Sequence, residues 1–136
     1  MKRLELTKKF IATSEAKGYL DYLVEKKQVF KRAIDAYAFA AAYAMKQNAD
    51  ISQSLSTRSK SLVEVYRLDD EIRLALEAGV YATRKKNNES EPENSAEVFK
   101  LVTQYAEVGI RLLQQKWQDK TSTSQIQKDI WNIINE

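Results

Sequence analysis

Residues 36 to 45, "AYAFAAAYAM", form an unbroken apolar run of ten, six of them alanine, inside the longer stretch "FKRAIDAYAFAAAYAMKQ" (30–47). Alanine is the strongest helix former, and nothing in the stretch interrupts a helix, so the sequence predicts one from Val29 to Gln47. Its first turn is amphipathic, but from Ala36 onward it is apolar on every side, the pattern of a helix buried all round. The small residues let neighbouring backbones approach, while Tyr37, Phe39, Tyr43 and Met45 supply bulk. Two arrangements would cover Tyr37, Phe39, Ala40, Ala41 and Tyr43. The helix can be the centre of the monomer's core, and a homo-oligomer interface can close over its remaining face; the two are not exclusive. The run is too short to span a bilayer, and Lys31, Arg32 and Lys46 flank it closely, so no membrane contact is expected.

The rest of the composition narrows the class. A chain of 136 residues has the length of one domain with a real core, so residues 1–136 read as a single helical domain. Three glycines and one proline argue against a turn-rich β architecture. With no cysteine, neither a disulfide nor a thiolate metal site is possible, and with no histidine the commonest general base and metal ligand is absent. No Gly-rich phosphate loop occurs. The carboxylates of "DDE" (69–71) could hold a metal, but they also suit a helix N-terminus. The serines have no evident activating base. Catalysis is therefore not expected, and no cofactor or metal is implied. The first residues lack the apolar core of a secretory leader, so a soluble, cytoplasmic protein is expected.

"RLELT" (3–7) alternates, with Leu4 and Leu6 on one side and Arg3, Glu5 and Thr7 on the other, which predicts a short N-terminal strand. A first helix follows over Ser14–Lys26, its stripe formed by Ala16, Tyr19, Leu20, Leu23 and Val24. After the alanine helix, the Ser-rich 48–61 reads as a loop. "LVEVYRL" (62–68) is either a short strand or the lead-in to a helix. From Asp69 a third helix runs to "RKK" (84–86), with Ile72, Leu76 and Val80 as its stripe and charges matched to its dipole. "NNESEPENS" (87–95) is an exposed loop. Asn94 and Glu97 resemble a capping box opening a long fourth helix to about Gln118. Ser124 and Gln127 read as the cap of a last helix whose Ile126, Ile130, Trp131, Ile133 and Ile134 must dock on something, since so short a helix is marginal alone. The fold class is mainly α: a compact bundle of about five helices with a short N-terminal β-strand.

Charge is uneven. Residues 1–50 carry ten Lys/Arg against six Asp/Glu, and residues 87–136 five against eight, which hints at an anionic partner for the front end. A strand followed by two helices is the order of a ribbon-helix-helix DNA-binding dimer, in which paired strands present outward side chains to the major groove. On that reading Arg3, Glu5 and Thr7 would face bases, while Lys2, Lys8 and Lys9 would meet phosphates. Lys26, Lys27, Lys31 and Arg32, around the turn between the first two helices, would add further phosphate contacts. The alternative for these residues is a solvated surface.

Two stretches carry a resemblance. Asp35 followed by "AYAFAAA" (36–42), and "YAEVGIRLL" (105–113), are similar to elements of a small family of proteins encoded beside Dnd systems. These bacterial systems replace a DNA backbone oxygen with sulfur (phosphorothioation) and can restrict unmodified DNA. The matching positions are Asp35, Phe39, Ala40, Ala41 and Ala42, then Tyr105, Ala106, Gly109 and Leu113, in the same order and at similar spacing. The resemblance implies a non-catalytic accessory of a phage-defence island that contacts DNA or joins larger restriction proteins. It transfers no catalytic residue. The same positions also have a plain physical reading, in which Gly109 lets one helix pass close to the alanines of another. Three readings follow: the accessory protein, a ribbon-helix-helix regulator, and an oligomeric helical scaffold with no nucleic-acid role.

Overall fold

The alanine helix, α2 (Ala33–Lys46), crosses the longest helix, α4 (Ser95–Lys116), so closely that only glycine fits at the contact. A Cβ built on Gly109 would lie 1.9 Å from the carbonyl oxygen of Ala40. Ala40, Ala41, Ala44 and Ala106 are fully enclosed there. The two stretches that carry the family resemblance thus meet in space, and α2 is a core helix of the chain. It is not enclosed on every side, however. Ala42 is exposed, and Phe39, Tyr43 and Met45 are only half-buried. A helix packed on one long neighbour and two shorter ones keeps an outward strip.

The computed structural model describes residues 1–54, 57–118 and 121–136. Around the central pair stand α1 (Ser14–Glu25), α3 (Asp70–Lys86) and α5 (Thr123–Ile134), giving five helices among the described residues. The protein is mainly helical, as its periodicity predicts. None of the described helices is long and apolar enough to cross a membrane. The core is continuous, with Leu20, Leu23, Leu76, Val80, Val98, Leu113 and Ile126 from four helices in one cluster.

A short N-terminal strand is present, but not at residues 3–7. β1 spans Lys9–Ala12 and pairs antiparallel with β2 (Lys60–Glu64), followed by a 3-10 turn at Val65–Arg67. The stretch "LVEVYRL" is therefore both a strand and a lead-in. Between the Lys9–Glu64 and Ile11–Ser61 pairs the register slips, leaving Leu62 and Val63 opposite Phe10 alone, a bulge on β2. Phe10 is completely buried and stacks on Phe99 with centroids 5.8 Å apart. This aromatic anchor decides which alternating segment becomes the strand. Residues 3–7 are instead fixed by Leu4, which is buried, and by backbone bonds near the strand.

Helix ends follow local chemistry. The Thr13 side chain accepts from Ala16 N–H and starts α1. The Asn94 side chain accepts from Glu97 N–H and starts α4 at the expected cap. α2 begins at Ala33, four residues later than predicted, after a left-handed Gln28 (φ 55°) and an extended Arg32 at its N-cap. The α5 cap is Ser122 with Gln125, a reciprocal capping box two residues ahead of the Ser124–Gln127 pair. Ile126 and Ile133 are the buried residues of this helix. In the loop 87–94, Pro92 is buried although its neighbours are exposed.

Candidate functional site

The eight cations expected to face an anionic partner are distributed over several elements. Arg3 reaches α3, where its Nε donates to Glu77 Oε1. The Lys2 backbone N–H donates to the Tyr81 hydroxyl at 2.6 Å, so Lys2 is tied to α3 by its backbone while its side chain stays exposed. Lys8 lies over the Phe99 ring of α4 at 4.9 Å. Lys9 is exposed opposite Glu64. Lys27 donates to the Thr121 carbonyl at 2.7 Å, and the Thr123 hydroxyl donates back to the Lys27 carbonyl at 2.9 Å. This exchange ties the α1–α2 turn to the start of α5. Arg32 grips both oxygens of Asp35 and also donates to the Arg67 carbonyl. The hydrogen bond to Asp35 raises the Arg32 pKa above its usual value; burial opposes it, and the charges of Asp35 and Asp69 add to the rise.

Lys26 and Lys31 are exposed and form no ion pair with a described residue. With Lys27 and Arg32 they place four cations within seven residues at the α1–α2 turn, the densest basic surface of the front end. Arg3, Lys8 and Lys27 each lie against a different element and so help to build the fold. Arg3, Glu5 and Thr7 do not sit on the strand, so they do not form the outward row that a ribbon reader requires. β1 also pairs with β2 of the same chain.

Of the residues expected to be core or self-association surface, Tyr37, Ala40 and Ala41 are fully interior. Phe39 is half-buried between Phe30 and Trp117, with ring centroids at 5.6 and 6.2 Å. Tyr43 is half-buried on the outward side of α2.

Periodicity missed the buried charges. Glu77 is 1 % exposed and receives both Arg3 and the Leu4 N–H, the latter at 2.6 Å. Glu77 and Arg73 follow directly after the apolar Leu76 and Ile72, so a stripe one residue wider would have included them. Arg73 donates to the Leu68 carbonyl and to Asp70. Around them opens a cleft of about 590 Å³ whose lining includes Arg3, Leu6, Asp70, Arg73 and Leu74. Arg3 pairs with Glu77 and Arg73 with Asp70 at this cleft, while Arg73 Nε has no hydrogen-bond partner among the described residues; the Arg3–Glu77 pair acts as a latch for the first residues.

A second interior pair joins Arg58 Nη2 to Glu107 Oε2 at 3.0 Å, in α4. Among the described residues, Arg58 Nε and Glu107 Oε1 have no hydrogen-bond partner. Tyr37, beside them, donates to the Ile11 carbonyl at 3.3 Å. Burial pushes its phenol pKa far above the usual range, with Arg58 opposing and Glu107 reinforcing the shift. This cluster fixes residue 58 to the centre of α4, and it leaves little room for a reacting molecule.

No protein-family model matches the chain, and no curated protein or solved structure shows significant similarity to it.

Proposed function

We propose that this chain is a non-catalytic accessory protein of a bacterial DNA phosphorothioation and restriction system, working through protein contacts and through DNA phosphates. The observation that carries this reading is the meeting of the two family-like stretches at the Ala40–Gly109 crossing. They lie far apart in sequence, so their contact supports reading them as parts of one architecture and not as two unrelated matches. Nothing in that crossing is available for chemistry, because its alanines are enclosed. On this reading the motifs preserve a frame, and the activity resides on its surface. A chain without histidine or cysteine also suits an adaptor better than an acid–base or thiol catalyst.

The same geometry favours an accessory over a ribbon-helix-helix regulator, because the would-be base readers lie outside the strand and the strand pairs within its own chain. DNA contact is then a matter of charge at the α1–α2 turn, with affinity that falls as salt rises because phosphate contacts release counterions.

The test has two arms. The tagged chain is co-expressed with the modification and restriction proteins of a phosphorothioation system, and stoichiometric co-purification is measured. Duplex binding is then followed across a salt series with the parent and a Lys26→Glu/Lys31→Glu variant, both of whose sites are exposed. Retention of one of those proteins, with salt-sensitive DNA binding that the variant loses, is the expected result. A chain that retains none of them and is indifferent to DNA sinks the reading and leaves the helical scaffold.

A further inference from the structure

Of the described helices, α5 is the least firmly held. α1 and α3 each pack on both α2 and α4, whereas α5 makes no extended backbone approach to any other element among the described residues. Two side chains seat it, Ile126 and Ile133, at 1 % and 5 % exposure. Polar contacts do the rest. Trp117 Nε1 donates to Asp129, Lys116 lies 3.7 Å from the same carboxylate, and Lys46 donates to the Ile133 carbonyl. A helix so short and so thinly anchored can open while the core stays closed.

The start of α5 lies on the basic turn. Lys27 Nζ donates to the Thr121 carbonyl at 2.7 Å, and the Thr123 hydroxyl returns a bond to the Lys27 carbonyl at 2.9 Å. Lys27 is half-buried there, its ammonium 5.9 Å from the centre of the Tyr22 ring, while Lys26 and Lys31 are exposed. Among the described residues, no carboxylate stands within ion-pair distance of Lys27. An ammonium held by a neutral carbonyl lacks a counter-charge. A phosphate oxygen supplies one and is the stronger acceptor. Lys27 therefore has two competing uses, as a tether for α5 and as a third cation of the turn.

We propose that α5 is an autoinhibitory clasp on this turn, docking of its start and engagement of Lys27 by DNA phosphate being mutually exclusive. Release of α5 frees Lys27 to join Lys26 and Lys31, and by linkage a bound duplex loosens α5. This deepens the DNA-contact part of the proposed function and rests on it.

The test uses the full chain and a short duplex at low salt. Amide exchange in the parent chain is followed with and without the duplex. Faster exchange within α5, with α4 unchanged, is expected on binding. A bound duplex that leaves α5 protection as it was, or raises it, overturns the clasp, and this arm needs no variant. In a second arm, Ile126→Ser/Ile133→Ser releases α5, with a melting curve to check that the core is retained. Its duplex affinity should rise about threefold or more, and its salt slope should steepen by about one, the value of one added phosphate contact. Adding Lys27→Gln should remove both changes. Affinity and slope equal to the parent's, or a gain that survives Lys27→Gln, overturn the proposal. If neither the parent nor the released chain binds duplex, the DNA-contact reading fails and the clasp with it. If the parent binds and α5 does not respond, the clasp alone is removed.

Discussion

Three glycines occupy three different surroundings, and each answers differently to a methyl group. At Gly109 an added Cβ meets backbone, the Ala40 carbonyl, which cannot move without shifting α2. Gly109→Ala should cost about 3 kcal/mol or prevent folding, at the upper end of overpacking penalties. At Gly79 the obstruction is the Met45 sulfur at 2.6 Å, the far end of a flexible side chain. Rearrangement of Met45 there offsets part of the helix propensity that alanine gains, so Gly79→Ala should lie near neutral. At Gly18 nothing stands within 4 Å, so Gly18→Ala should stabilise α1 by roughly 0.5–1 kcal/mol through propensity alone. Urea denaturation of the three variants checks the order. A Gly109→Ala protein as stable as the parent would mean that α2 and α4 do not cross as described.

Among the elements, α5 depends most on its anchors. Its cap is the Ser122–Gln125 box, and side-chain hydrogen bonds tie it to other parts of the chain. Trp117 Nε1 donates to Asp129 at 2.6 Å, the Thr123 hydroxyl donates to the Lys27 carbonyl, and Lys46 donates to the Ile133 carbonyl. Only Ile126 and Ile133 are deeply buried, while Trp131 and Ile134 remain about two-thirds exposed. Ser122→Ala should therefore weaken α5 by about 1 kcal/mol, the usual value of an N-cap. Amide exchange should accelerate within α5 and leave α4 unchanged. Uniform acceleration across both helices would show instead that α5 folds only with the whole molecule. The α5 amphipathic pattern is plain in sequence, but periodicity alone does not choose between two neighbouring Ser–Gln frames. The start of α5 is held where Thr121 and Thr123 bond to Lys27, a partner far away in sequence.

For the whole molecule, the question is whether α2 serves only the interior or also a second copy. Ala40 and Ala41 are completely enclosed, whereas Ala42 is exposed with Tyr43 half-buried beside it. Ala40→Glu or Ala41→Glu places an unpaired carboxylate in the core and should abolish the folded state, since such a charge costs several kcal/mol. Ala42→Glu should leave a folded chain with a normal melting curve. Light scattering on Ala42→Glu and the parent then separates the two roles. An unchanged mass confines α2 to the monomer, and a drop in mass assigns its outward strip to self-association.

The sequence by itself determined the class and most of the helices, because propensity and apolar periodicity act within one turn and need no distant partner. It also determined the Asn94 cap and the need for Gly109 to sit at a close crossing. Only the tertiary structure decided which alternating segment becomes the strand, since Phe10 on Phe99 outweighs the equally alternating 3–7. It alone placed Arg3 on Glu77, Arg58 on Glu107 and Lys27 on Thr121. Residues read as a basic front thereby divide into cations that hold the fold and cations left at the surface. Charge along a chain is additive and can be counted, but the partner of each charge depends on elements far away in sequence, which only packing brings together.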